Sequence, residues 1–197
     1  MGFLADKTVF SPLTKEILEE SISFSCGNED LDGFFHNDAV SYADNLFGKS
    51  YCYYLEESKA DIVCAFTVSN ASIFTKYLPN ARKKKVGKHV PHIKQDLIYP
   101  AVLIGRLGIN VDFRHQGIGS ELLDFIKSWF VDEENKTGCR FIVVDAYNKS
   151  NILHFYEKNG FKYLYSTEEL EKEANNIPLE DKLSSRMMYL DLIGFID

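Results

Sequence analysis

Apolar and polar positions follow their clearest rhythm in the C-terminal half of the chain. "YPAVLIGRLGINVD" is a nearly continuous apolar run, the pattern of a strand buried on both faces. "GIGSELLDFIKSWFVDEE" follows it, with Ile118, Leu122, Phe125, Ile126 and Trp129 at helical spacing. "CRFIVVDAY" reads as a second buried strand, and "SNILHFYEKNG" as a short helix closed by Gly160. "FKYLYS" and, after the acidic stretch Glu168 to Glu173, "RMMYLDLI" read as the last strands. Strand, helix, strand, helix, strand predicts a mixed α/β (α+β) sheet flanked by helices.

The N-terminal half is less regular. "SPLTKEILEE" reads as a helix with Ser11 as cap and Pro12 at its first position. "NEDLDGFFHNDAVSYADNLFG" reads as a second helix, capped near Asn28, with Leu31, Phe34 and Phe35 on one side and its end at Gly48. "SYCYYLEES" and "ADIVCAFTVSNASIF" are rich in β-branched and aromatic residues, and the polar link around Glu56 to Lys59 predicts an antiparallel hairpin. Residues 76–98 break this pattern with Pro79, Gly87 and Pro91 and predict an inserted, partly helical loop. Neither an internal repeat nor a linker divides the sequence, so one domain over 1–197 is expected.

Composition narrows the function classes. No apolar run of about 18 residues is present, so no membrane span is expected. "MGFLADKTVF" lacks the basic-then-apolar order of a secretory signal, and Asp6 stands where a myristoylation site wants Ser or Thr. Cys26, Cys52, Cys64 and Cys139 form no C-x-x-C pair, which fits reduced thiols in a cytoplasmic protein. The net charge of -7 disfavours a general nucleic-acid binder. The cluster Arg82, Lys83, Lys84, Lys85 and Lys88 is a local exception. His89 and His92 flank Pro91 with no third ligand nearby, so no metal site is expected.

"RHQGIG", residues 114–119, joins the long strand to the long helix. A helix start exposes backbone N–H groups with no partner inside the helix, and the helix dipole adds positive potential there. An anion such as a pyrophosphate fits such a place. Gly117 and Gly119 allow close approach of the backbone, and Arg114, His115 and Ser120 could add donors. The rival phosphate motifs fail, because Leu122 stands at the third glycine of G-x-G-x-x-G and Ala43 stands where a P-loop ahead of "GKS" needs glycine.

Arg114, Gly117 and Gly119 match [QR]-x-x-G-x-[GA], and "FYEKNGF" at 155–161 follows after one intervening strand. Together these resemble the two signatures of the GNAT superfamily of N-acetyltransferases. The resemblance implies a mostly antiparallel sheet splayed between its fourth and fifth strands, with acetyl-CoA as the acetyl donor. The pantetheine arm would pair with backbone near Leu107, Gly108, Ile109 and Val111. The pyrophosphate would meet the N–H groups of Gln116, Gly117, Ile118 and Gly119. Asn148 and Asn151 lie where the family often places a cofactor-contacting amide. Tyr156 matches the tyrosine that faces the sulfur, and a phenol of pKa about 10 stays protonated at neutral pH and can donate to a departing thiolate. The strand 101–110 carries no Asp or Glu, so no general base is nominated.

Phe24, Gly27, Leu31, Asp32 and Phe34, with Gly105, Arg106 and Leu107, resemble the opening motif and "GRL" core of toxin-like acetyltransferases from toxin–antitoxin pairs. That branch acetylates aminoacyl-tRNA, whose ester lowers the amine pKa and lessens the need for a base. The resemblance adds tRNA and a small antitoxin to the partners to be considered, with the basic cluster as the RNA contact, and a homodimer stands as a separate alternative. A CoA-binding module without catalysis is the reading from a different class.

Overall fold

The expected hairpin is present: strand β2 (Lys49–Leu55) runs antiparallel to strand β3 (Ser58–Phe74), with Glu56 and Glu57 at the turn. The computed structural model describes residues 2–21, 24–88, 90 and 98–196. His89 and His92 lie outside the described residues, as does most of 89–97.

Strand β1 (Thr8–Pro12) pairs antiparallel with β2 and occupies the sheet edge. Here the expected helix start is corrected. Ser11 and Pro12 end a strand, and helix α2 (Lys15–Glu20) begins three residues later. Its cap is Thr14, whose hydroxyl accepts the Ile17 N–H at 3.4 Å. Proline is tolerated in β1 because an edge strand leaves N–H groups unpaired in any case. A short helix α1 (Phe3–Lys7) precedes it.

The second predicted helix is two helices, α3 (Glu29–Gly33) and α4 (Ala39–Asp44), joined by a wider π-type turn at Phe34–Asp38. The Asn28 side chain caps α3, as expected, by accepting from Asp30 and Leu31 N–H. The helical run ends at Asp44, with Leu46 in the left-handed region at φ 61°, before Gly48 is reached.

Strand β4 (Ile98–Ile109), helix α6 (Ile118–Val131), strand β5 (Phe141–Tyr147), helix α7 (Ser150–Lys158) and the two-residue strand β6 (Lys162–Tyr163) appear in the expected order. Within the predicted insertion, helix α5 (Asn80–Val86) is folded in by Val86, which is 1% exposed and packs in a core with Leu78. The acidic stretch forms helix α8 (Glu168–Ala174), and strand β7 (Ser185–Asp191) follows. The strand order is β1-β2-β3-β4-β5-β7-β6, antiparallel except for the pair β4 and β5.

Two compact units divide the chain: Met1–Asn70 with Ile104–Ile126, and Ala71–Leu103 with Lys127–Asp197. The first has a core of Phe24, Phe35, Cys52, Ile62 and their neighbours. The second packs Ile73, Tyr99, Phe141, Val143 and Tyr189. Fully burying an aliphatic or phenyl side chain stabilises by about 1.5–3 kcal/mol, so each core of this size outweighs any single polar contact described below. Helix α8 is fixed differently. Glu171, 3% exposed, accepts from Arg186 Nε at 2.6 Å and from the Met187 N–H at 2.5 Å. Burial pushes the Glu171 carboxyl up, against those two contacts, which pull it down. Among the described residues no helix is long and apolar enough to cross a membrane.

Candidate functional site

The glycine turn is built outward from Asn110, which is 3% exposed at the end of β4. Its N–H donates to the Val63 carbonyl at 2.9 Å, and its amide Nδ2 donates to the Ile62 carbonyl at 2.8 Å. Its Oδ1 accepts the Asp112 N–H at 3.2 Å and so caps the single 3-10 turn Val111–Phe113. The chain then passes through His115 at φ 62° and Gly117 at φ 82°, both left-handed. Gly117 is needed for that conformation, and the place its Cβ would occupy is open space. Ser120 and Glu121 donate their N–H groups to the Gly117 carbonyl. The N–H groups of Gln116, Gly117, Ile118 and Gly119 have no hydrogen-bond partner among the described residues. Ile118, 1% exposed, anchors the helix start from below. An outward set of four free donors beside open space fits a pyrophosphate.

Arg114 points elsewhere than the anion reading anticipates. Its Nη2 donates to the Cys26 carbonyl, and the guanidinium lies against Gly27. The Val111 N–H donates to the Ser25 carbonyl at 2.9 Å, so that donor is taken. The other side of the same loop is held by Asp32, which accepts from the Ser25 hydroxyl and the Cys26 N–H, both at 2.7 Å. Burial raises the Asp32 pKa, but hydrogen bonds from the Cys26 thiol, the Ser25 hydroxyl and the Cys26 N–H outweigh it and hold the carboxyl below its ordinary value. Burial, with Asp32 adding to it, pushes the Cys26 thiol up to about 12, so it stays protonated. Gly27 takes φ 63°, and a Cβ there would stand 3.2 Å from Arg114 Nη2. The Phe24-to-Asp32 motif is thus a clip between the start of α3 and the donor turn. Behind it, Gly108 is packed so closely that a Cβ would lie 3.0 Å from that of Cys26. Leu107 and Ile109 are half-buried on β4.

Tyr156 lies in the second unit, on α7, 8% exposed. The helix ends in a paired cap, the Phe161 N–H to the Tyr156 carbonyl at 3.0 Å and the Gly160 N–H to the Glu157 carbonyl at 3.0 Å. Gly160 takes φ 91° to allow it. Phe155 and Phe161 hold the Tyr156 ring edge-on at 5.1 and 5.3 Å between centroids. The "YEKNGF" signature therefore fixes one tyrosine in place. Its hydroxyl has no hydrogen-bond partner among the described residues, and burial pushes the phenol further above its ordinary value.

Asn148 spends its amide donors on Glu168 Oε1 and the Leu183 carbonyl, both at 3.0 Å, which leaves only its oxygen to face a ligand. Asn151 is exposed on the first turn of α7. On and just beyond α5, Lys84, Lys85 and Lys88 are exposed, whereas Arg82 and Lys83 are partly buried. Sequence reasoning missed Asn110, although Asn two residues before Asp112 is a readable cap signal. It also missed Glu121, which accepts the Leu4 and Ala5 N–H groups of α1 at 2.8 and 3.3 Å. No local pattern announces that contact.

Residues 50–163 match the model of the acetyltransferase (GNAT) domain. Among solved structures, a tyrosine-to-phenylalanine mutant of KacT is 18% identical over 97% of this chain and 98% of that one, with a TM-score of 0.69. AtaT complexed with acetyl-methionyl-tRNAfMet is 18% identical over 96% and 97%, with a TM-score of 0.62. A mutant AtaT toxin bound to the C-terminus of the antitoxin AtaR and acetyl-CoA is 16% identical over 96% of each chain, with a TM-score of 0.58. At these identities the likeness to solved structures is one of fold.

Proposed function

The chain belongs to the GNAT acetyltransferases, and from that premise we propose how its own residues carry out acetyl-CoA-dependent transfer to a primary amine. Acetyl-CoA supplies an activated acetyl thioester. The N–H groups of residues 116–119 hold its pyrophosphate, and backbone near Leu107 to Ile109 pairs with the pantetheine arm. The N–H of Leu107 or Gly108 polarises the thioester carbonyl. The neutral amine forms the N–C bond as the C–S bond breaks, Tyr156 donates its proton to the departing thiolate, and the proton lost from nitrogen passes to water, from which Tyr156 is reprotonated. The observation that carries this reading is the Tyr156 hydroxyl, fixed by its ring packing, without a hydrogen-bond partner among the described residues, and held in its protonated form by burial. Tyr156→Phe tests it. Turnover should fall about 10²–10⁴-fold, the usual contribution of general acid–base catalysis, with acetyl-CoA affinity unchanged. Turnover within threefold of wild type would refute the acid role. Wild-type CoA binding without transfer to any amine would instead favour a CoA-binding module without catalysis.

The finer reading is an aminoacyl-tRNA acceptor and a small antitoxin partner. Two observations favour the tRNA acceptor: β4 carries no carboxylate to serve as base, which suits an amine of low pKa, and three lysines on and beside α5 are exposed. The exposed set sharpens the test to Lys84, Lys85 and Lys88. Their joint replacement by Ala should weaken transfer to charged tRNA and flatten its salt dependence, leaving small amines unaffected. An unchanged salt slope excludes the cluster as the RNA contact.

A further inference from the structure

Two buried side-chain nitrogens among the described residues lack a hydrogen-bond acceptor, Nε of Arg106 and Nε of Arg140. Arg140 is accounted for, because that nitrogen lies 2.7 Å from Asp191 Oδ1 and Nη2 donates to Asp191 Oδ2 at 3.0 Å. Arg106 has no such carboxylate among the described residues. Its Nη1 donates to the neighbouring Gly105 carbonyl at 2.9 Å, and its guanidinium lies 5.1 Å from the centre of the Phe34 ring. A guanidinium carries five donors in a fixed planar fork, so most of this one is unspent. A donor N–H buried without an acceptor is costly and needs an explanation. Stacking on Phe34 holds the fork in one plane, ready for a pair of anionic oxygens.

The position on β4 narrows what the anion belongs to. Arg106 directly precedes Leu107, at the stretch assigned to the thioester, and lies in the same unit as α3 and the glycine turn. The donor's pyrophosphate is already provided for at residues 116–119. Arg106 itself stands on β4, ahead of Asn110 and of the turn that carries those donors.

We infer that Arg106 is a specificity residue for the acceptor, taking a carboxylate or phosphate carried by the molecule whose amine is acetylated. This rests on the acetyl-transfer reading above. The test is a series of ω-amino acceptors of graded length that end in phosphate, carboxylate or hydroxyl. They are assayed with the wild type, Arg106→Met, which keeps an unbranched chain on Phe34, and Arg106→Lys, which keeps the charge without the fork. The wild type should prefer an anionic series. Arg106→Met should lose at least tenfold in kcat/KM on that series and change less than twofold on the hydroxyl series. Arg106→Lys should fall between, and the KM for acetyl-CoA should not move. The melting temperature of Arg106→Met should equal or exceed that of the wild type, since a buried donor without an acceptor has gone.

A uniform loss across all three series, or a lowered melting temperature with no change in selectivity, overturns the inference and makes Arg106 structural. Whichever anionic arm carries the preference identifies the group. If the wild type acetylates nothing, the acetyl-transfer reading fails on its own. The anion site is then judged by melting shifts with the phosphate-terminated compounds at saturating CoA. A shift in the wild type that is absent in Arg106→Met supports the site, and the lack of any shift overturns it.

Discussion

Asn110 is the most exacting place to perturb the donor turn. Asn110→Ala removes the donor to the Ile62 carbonyl and the acceptor that caps Asp112. A buried partner left unpaired costs about 1–3 kcal/mol and a lost cap about 1 kcal/mol, so a loss of about 2–4 kcal/mol is expected. Asn110→Asp is the sharper variant. It keeps the cap, but when ionised it sets a charged acceptor against the Ile62 carbonyl, at a site 3% exposed. Its folded pKa is therefore raised above the unfolded value of about 3.9. The sign follows: the destabilisation is full above the folded pKa and shrinks as pH falls through it, by up to about 1.4 kcal/mol per pH unit, because protonation restores a donor to Ile62. Urea unfolding of the wild type and both variants, followed by the fluorescence of Trp129 between pH 5 and 8, measures this. Asn110→Asp should be the less stable variant at pH 8 and should gain on Asn110→Ala toward pH 5. A constant difference between the two across that range, or either variant within about 0.5 kcal/mol of the wild type, would refute the reasoning.

Arg186→Met strands Glu171 as a buried, unpaired carboxylate, and removing one member of such a pair costs about 3–5 kcal/mol. The loss should shrink at acid pH, where Glu171 takes a proton, and the double variant Glu171→Leu/Arg186→Met should recover most of it, both read by thermal melts. Asp32 has a depressed folded pKa, so its stabilisation is present above the unfolded value of about 3.9 and lost as pH falls through the folded value. Asp32→Asn should accordingly flatten the acid limb of the stability profile, and an unchanged limb would count against the clip. Gly108→Ala places a Cβ 3.0 Å from Cys26 Cβ and 3.3 Å from Phe35 Cε2, and overpacking of this kind costs about 1–3 kcal/mol. Cys26→Ala, which removes only Sγ, should relieve part of that loss in denaturant titrations.

What the sequence disclosed depended on the range of the contact. The β2–β3 hairpin and helix α6 were legible because their patterns are written in adjacent residues. Ser11-Pro12 misled because the same dipeptide suits a helix start and the end of an edge strand, and only pairing with β2 decides between them. Helix α8 was not assigned from the acidic stretch because the partner that buries Glu171 lies fifteen residues away. The glycine turn was placed correctly, but where Arg114 points was not readable. Its partner Cys26 is 88 residues distant, and side-chain direction there is a tertiary outcome.

The interleaving of the two units constrains how the chain is made. Asn70 ends the first segment of one unit, and the strand half that completes it begins only at Ile104. At about 5–20 residues per second, a ribosome takes roughly 2–7 s to deliver the intervening residues. Through that interval β3 presents an unsatisfied strand edge on a nascent chain, the configuration most prone to pairing with the wrong partner. Helix α6 then emerges across the second boundary, and the second core waits further for Phe141, Val143 and Tyr189. Yield on expression should therefore respond to translation speed over residues 71–103 more than to changes of the same size near the C-terminus, a property of the order of synthesis and not of the finished fold.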